Sequence, residues 1–233
     1  LSTFIPSLSM VWDNTLWDYI FPYKGSRFNI KMKASPKIGD NGLFFQSLIL
    51  DYRKYYPIKN GISWGGRIYS GYSFGENAQL FKMGGIPWIW SSYPTYYSND
   101  SIDYDLKSVY FSEYVMPVRG AHINQKFGHG TFLFNMEIRL PLLIYYFPAI
   151  KYLGQISTVL FSDFGFTWNR HLPNWTEEYW NQNNSEGFIW TYGFGPRFIF
   201  IGLPWQLDYA WHINPYNKED TSRSWFLTIG LDF

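Results

Sequence analysis

The stretch "PVRGAHINQKFGHGTFLFNMEIRLPLL", residues 117–143, decides the fold class. Its second half alternates apolar and polar residues up to Pro141. Successive side chains of a strand point to opposite faces. Phe132, Phe134, Met136, Ile138 and Leu140 therefore share one face, and Asn135, Glu137 and Arg139 the other. The first half, which carries Arg119 and Gly120, has no regular period and reads as a loop. A strand of this kind separates two surroundings, one apolar and one polar.

Other segments repeat the pattern. In 27–34 the even positions Phe28, Ile30, Met32 and Ala34 are apolar, against Arg27, Asn29, Lys31 and Lys33. In 188–200 the even positions Phe188, Trp190, Tyr192, Phe194, Phe198 and Phe200 are aromatic, and Thr191, Gly193, Gly195 and Arg197 fall opposite. In 205–212 Trp205, Leu207, Tyr209 and Trp211 alternate with Gln206, Asp208, Ala210 and His212. The last segment sets Trp225, Leu227, Ile229, Leu231 and Phe233 on one face, with Phe226 as the exception. Nine strands are predicted, near 4–14, 25–35, 42–56, 61–74, 131–144, 152–168, 187–200, 204–213 and 223–233. Turns at 15–24, 57–60, 145–151 and 201–203 would lie on one rim. Loops at 36–41, 75–130, 169–186 and 214–222 would lie on the other.

Composition sharpens the choice between a soluble β-sandwich, which also alternates, and a membrane barrel. Of 233 residues, 23% are aromatic and only 16% charged, with a net charge of +1. No basic stripe points to nucleic acid. With no cysteine, a disulfide framework and a thiolate metal site are both excluded. No apolar run approaches the roughly 20 residues of a membrane helix. Large aromatic faces, polar faces suited to a wet lumen, and short turns opposite long loops together predict a transmembrane antiparallel β-barrel, all-β, of the outer-membrane kind. Trp12, Tyr55, Tyr56, Tyr145, Tyr146, Trp168, Trp205 and Trp225 would form its interfacial girdles. The chain starts at Leu1 in mid-pattern, so residues 1–233 are expected to be the C-terminal portion of a larger barrel. Closure requires more strands, since an open edge in hydrocarbon leaves backbone groups unsatisfied.

Five motifs, in order, resemble the BamA-type outer-membrane barrel superfamily (the bacterial surface-antigen domain). "VWDNTLWDYIFPYKGSRFNI" resembles its D-x-R-D … P-x-K-G hairpin, "PVRGAHI" its V-R-G-F/Y loop, and "FNMEIRLPL" its N-x-E-[LI]-R-[FL]-P strand. "VLFSDFGFTW" resembles its F-x-D-x-G-x-x-W strand, and "WFLTIGLDF" its C-terminal strand. Each motif alone is weakly specific; their order covers almost the whole chain. Departures are Asn14 and Thr15 in the first motif, Ala121 where an aromatic follows Arg-Gly, and about 25 residues between "FKMGGIPWIWSS" and "PVRG". That stretched form resembles barrels attached to periplasmic β-propeller repeats.

The resemblance implies a sixteen-strand barrel of which this chain supplies the last nine strands. It implies that the long loop folds back into the lumen, where Arg119, followed by Gly120, meets Glu137 and Asp163. Parity alone puts Glu137 and Asp163 on inward faces; read without the resemblance, Arg119 is a solvated loop arginine. It also implies that Trp225, Leu227, Ile229, Leu231 and Phe233 form an assembly-signal strand, that the setting is the outer membrane of a Gram-negative bacterium, and that the function is insertion or translocation of proteins or lipids. Partners would be outer-membrane lipid, other envelope proteins or lipoproteins, and client barrel proteins. The other readings are a structural anchor for a periplasmic domain and a porin-like channel.

No catalytic motif is present, and no enzyme activity or cofactor is expected. His122, His129, His171 and His212 lack metal-ligand spacing; His122 and His129, in the long loop, read as solvated, and a rim site built on His122 and Asp163 has no serine fixed beside it. "NWTEEYWNQNNSEG", 174–187, reads as an outside loop offering a contact surface.

Overall fold

Polar side chains are buried and large apolar ones exposed along the strands, the reverse of a water-soluble sheet. Ser47, Arg67, Asn135, Glu137, Arg139, Asp163, Thr191, Arg197 and Asp208 are all buried. Leu8, Met10, Met32, Leu48, Leu50, Ile68, Tyr72, Leu160, Tyr192, Phe194 and Tyr209 are exposed. This inversion suits a wall whose outer face meets hydrocarbon. The computed structural model describes residues 4–18, 21–39, 42–86, 90–91, 112–115, 117–141, 156–181, 184–217 and 222–230.

The wall is antiparallel and its long members fall on the nine predicted segments. They are β1 (Ser7–Asp13), β3 (Phe21–Ser35), β4 (Phe45–Lys59), β5 (Ile62–Phe74), β10 (Gly130–Leu140), β11 (Ser157–Trp168), β12 (Gly187–Phe200), β13 (Leu203–His212) and β14 (Arg223–Ile229). Their order in the sheet is β1-β3-β4-β5-β10-β11-β12-β13-β14, followed by the two-residue β7 (Trp90–Ser91). The short β2 (Leu16–Asp18) pairs off this path with the start of β3. Among the described residues the path does not return on itself, so the wall is part of a barrel. Two of the connecting turns carry positive φ at both central residues, 53° and 75° at Asn60–Gly61 and 53° and 73° at Ile201–Gly202. Turns of that shape match the right-handed twist of the strands they join.

Register sets the inward residues in line. Asn135 lies opposite Asp163 on β11 and Arg67 on β5, and Asp163 lies opposite Thr191 on β12. Outward aromatics stack across strands, as with Phe132 and Phe166 at 5.3 Å and Phe194 and Tyr209 at 5.8 Å. Phe226, the exception on β14, is buried on the inner side.

Three expectations change. The inner face is not wet throughout: Ile49, Tyr69, Leu133 and Ile189 join Phe81, Met83, Val115, Val118 and Ala121 in one buried apolar cluster. Tyr55 belongs to no girdle, because it occupies the inward parity of β4 and is buried, whereas Trp12 and Tyr56 are exposed as expected. The segment 15–24 is more than a turn, since β2 and the first residues of β3 form a paired extension there. Tyr145, Tyr146, Leu231 and Phe233 lie outside the described residues, as do 87–89, 92–111 and 116 of the long loop.

Candidate functional site

The long connection between β5 and β10 folds into the lumen as a small domain of its own. Its β6 (Phe81–Met83) pairs in parallel with β8 (Glu113–Val115) and antiparallel with β9 (Lys126–Gly128). This mini-sheet presents Phe81, Met83 and Val115 to the inward Ile49, Tyr69, Leu133 and Ile189 of the wall. Inward glycines make room for it. A Cβ at Gly71 would stand 2.4 Å from the Phe81 ring, and one at Gly165 2.6 Å from Met83 Sδ. The contact is therefore packed like a protein interior, in which added volume has nowhere to go. At the wall Lys33 also bonds Glu113 of β8.

Arg119 sits at the tip of this plug. Val118 N–H donates to Gly85 O at 2.9 Å, closing a bridge that holds the tip's approach. Gly120 then turns the chain with φ of 87°, and a Cβ there would lie 2.7 Å from Ala210 Cβ on β13. Both facts call for glycine: the left-handed backbone and the close approach. The turn leaves Arg119 fully buried beneath the wall.

Asp163 receives Arg119 backbone N–H at 2.9 Å, Nε at 2.9 Å and Nη2 at 2.7 Å. Glu137 Oε1 receives Arg119 Nη1. Asn135 Nδ2 completes the set, donating to Asp163 Oδ1 and to Pro117 O, both at 2.8 Å. The guanidinium also lies over the Phe161 ring, 4.0 Å from its centroid. Burial works against the charge on Arg119, but Asp163 and Glu137 outweigh it and hold its pKa well above the ordinary arginine value. A planar fork matches two carboxylates in a way that an ammonium cannot. Arg119, Gly120, Glu137 and Asp163 thus meet in one place, tying the loop tip to β10 and β11.

Further ion pairs line the inner face. Arg139 donates Nε and Nη2 to Glu137 Oε2 at 3.0 and 2.9 Å. Arg197 and Asp208 pair at 2.7 Å, and Arg67 and Arg53 both hold Asp51 at 2.9 Å. Parity could have located all of these inward charges; it could not have matched the partners.

A second fastening lies on the long-loop rim. Lys126 is buried, and its Nζ donates to the carbonyls of Asn181 and Asn184 at 2.7 Å and of Glu186 at 3.2 Å. Burial pushes its pKa down to about 7. Phe127 N–H donates to Ser185 O at 2.7 Å, so plug and outside loop are joined over several bonds. That loop contains α1 (Glu177–Trp180) and folds its Trp180 against the outward Phe188, centroids 5.1 Å apart. "NWTEEYWNQNNSEG" is thus part of the rim structure, with Trp175 still exposed on it. His122 and His129 are half-buried in the plug, not solvated, and burial lowers the pKa of each. Asp163 is engaged by Arg119 and Asn135, which leaves it no part in a site with His122. Among the described residues no three His, Asp or Glu side chains group as metal ligands. Trp225, Leu227 and Ile229 lie on the outward side of β14.

The Omp85 superfamily domain matches residues 2–233. The chain belongs to the Omp85 superfamily. This is an outer-membrane protein assembly and translocation family. Among solved structures, the chain is similar in fold to BamA from Haemophilus ducreyi lacking POTRA domains 1–3, with a TM-score of 0.59 and 18% sequence identity. The match covers 96% of this chain and 41% of that one, so the present Omp85 chain spans less than half of that relative. Sequence comparison with characterised proteins finds no match. An Omp85 wall explains the inverted burial: apolar side chains exposed outside, charged ones buried within.

Proposed function

We propose that this Omp85 chain is the membrane-embedded part of a machine that inserts or translocates proteins, or lipids, at the outer membrane of a Gram-negative bacterium. The observation that carries the reading is the folded plug locked to the inner face of an Omp85 wall. The plug is packed against that face, where it opposes passive flow. Among the described residues the last strand pairs with β13 from Arg223 to Ile229 and with β7 at Phe226 and Leu227. In a closed barrel its outer edge would meet the first strand, and the reading places clients at that seam. Strand edges carry unpaired N–H and C=O groups and accept further strands by main-chain hydrogen bonding. Client strands would be templated there. No bond-making or bond-breaking group is invoked, so the activity is read as non-enzymatic. Its partners would be outer-membrane lipid, client barrels and envelope lipoproteins.

The test uses the full-length protein in liposomes with an unfolded outer-membrane barrel as client. Photo-crosslinkers are placed at Trp225 and Leu227. Faster client insertion with crosslinks from β14 to the client is the expected result. Crosslinks to envelope proteins without any insertion would replace the reading with a structural anchor. Steady ion conductance without insertion would replace it with a channel.

A further inference from the structure

The pairing of β2 (Leu16–Asp18) with residues 21–24 of β3 does not continue the wall from which it springs. β1 and β3 pair in regular register from Ser7 and Lys33 as far as Asp13 and Arg27. The ladder then breaks. Gly25 has φ of 112°, a Cβ on it would stand 2.4 Å from Asn14 O, and Asn14 Oδ1 instead takes the Ser26 N–H at 2.7 Å. Beyond this kink β2 and β3 pair separately, with a register shift between Leu16 and Trp17.

What the tip reaches shows where it goes. Phe21 packs against Val159, Phe161 and Ala210. These are inward residues of β11 and β13, which follow β3 in the sheet only after β4, β5 and β10. A residue of β3 reaches them by crossing the lumen, not by lying along the wall. Arg139 meets it there, donating Nη1 to Pro22 O at 2.6 Å, with its guanidinium 5.0 Å from the Phe21 ring centroid and 5.4 Å from that of Tyr55. The strand order places this tip on the rim of the 57–60 turn, opposite the rim from which the plug descends.

We infer that β2 together with residues 21–24 of β3 is a second closure of the lumen, entering from the short-turn rim, and that Arg139 latches it to the carboxylate that holds Arg119. Glu137 gives one oxygen to each arginine. Phe161 carries Arg119 on its ring and sits in the cluster with Phe21. The two closures thus share one acid and one aromatic. Withdrawing the plug leaves the buried Glu137 and Asp163 short of a cation. Withdrawing the β2–β3 tip takes an acceptor and an aromatic neighbour from the buried Arg139. Both states are costly in a dry interior. The closures therefore open together. The inference concerns how the lumen is shut and stands whether or not the protein inserts clients.

Hydrogen exchange on the full-length protein in lipid nanodiscs tests it. Arg139→Lys and Arg119→Lys keep the charge but lose the fork that serves two acceptors at once. Each is expected to speed exchange of the 16–24 amides by about tenfold or more while 28–34, in the same strand, stays unchanged. Exchange of 16–24 at wild-type rates in both variants would overturn the latch. Acceleration in Arg139→Lys alone would overturn the coupling. Should either variant fail to assemble, a photo-crosslinker replacing Phe21 in the otherwise unaltered chain decides the first point. Adducts with 157–163 or 206–212 support a tip across the lumen; adducts confined to 42–60 overturn it.

Discussion

Asp163 and Arg119 are joined by three hydrogen bonds from one residue to one carboxylate, one of them from the backbone. Glu137 receives only one from the same arginine. The two acids that flank Arg119 are therefore unequal partners. Asp163 fixes both the loop's main chain and its guanidinium, and Glu137 divides its oxygens between Arg119 and Arg139.

The inequality is measurable. Arg119→Ala leaves two buried carboxylates short of a cation and is expected to cost about 3–5 kcal/mol of stability. In double-mutant cycles with Asp163→Asn and Glu137→Gln, the Arg119–Asp163 coupling should exceed the Arg119–Glu137 coupling. Denaturant unfolding of the folded barrel reads both. Equal couplings, or an Arg119→Ala protein as stable as wild type, would show that the lock contributes nothing to the wall.

Packing of the plug against inward glycines leads to a second expectation. Gly71→Ala forces a methyl onto the buried Phe81 ring and should destabilise by about 1–3 kcal/mol. Pairing it with Phe81→Leu should return part of the loss, because the ring that clashes is gone. The thermal midpoints of the single and double variants decide it; a double variant no better than the sum of its parts would contradict the contact.

Lys126 makes the third. Lys126→Met fits the same space but takes one donor from each of the carbonyls of Asn181, Asn184 and Glu186. Loss of buried partners costs about 1–3 kcal/mol. The outside loop 169–186 should become sensitive to protease while the wall strands stay protected. A digestion pattern identical to wild type would mean that Phe127 and the aromatic contacts hold the loop unaided.

Conductance tests the plug as a whole. Replacing residues 78–127 by a short Gly-Ser linker in the full-length protein should turn a nearly silent bilayer recording into a steadily open pore. Equal currents before and after would mean that the lumen is blocked by something else.

The wall was readable because a lipid-facing strand repeats every two residues, and nine segments long enough to show that period all became strands. Glu137 and Asp163 were placed inward on the same ground. Arg119 was different: nothing in its neighbourhood distinguishes it from a solvated arginine, and its partners came from the resemblance. Strands of three residues, such as Phe81–Met83 and Glu113–Val115, carry no period, and their parallel pairing joins stretches far apart in the chain. The one available signal was indirect, namely glycines on inward positions such as Gly71 and Gly165, where something bulky had to fit. The tucked β2–β3 extension gave no signal either. Phe21 and Pro22 look like turn residues, and only a contact across the lumen reveals them. Tyr55 shows the limit of reading aromatics by their place in a strand: one residue of parity moved it from the membrane surface to the lumen.

Because β5 and β10 are direct neighbours in register from Ser63 and Arg139 to Tyr72 and Gly130, the plug is merely the connection of a hairpin. The part of residues 75–129 that does not touch the wall can lengthen or shorten without changing the β5–β10 register, and closing a longer loop adds only about 0.6 kcal/mol per doubling. A lineage can therefore remodel its stopper freely while inheriting its membrane shell intact, provided that the few residues around Arg119 still find their acids.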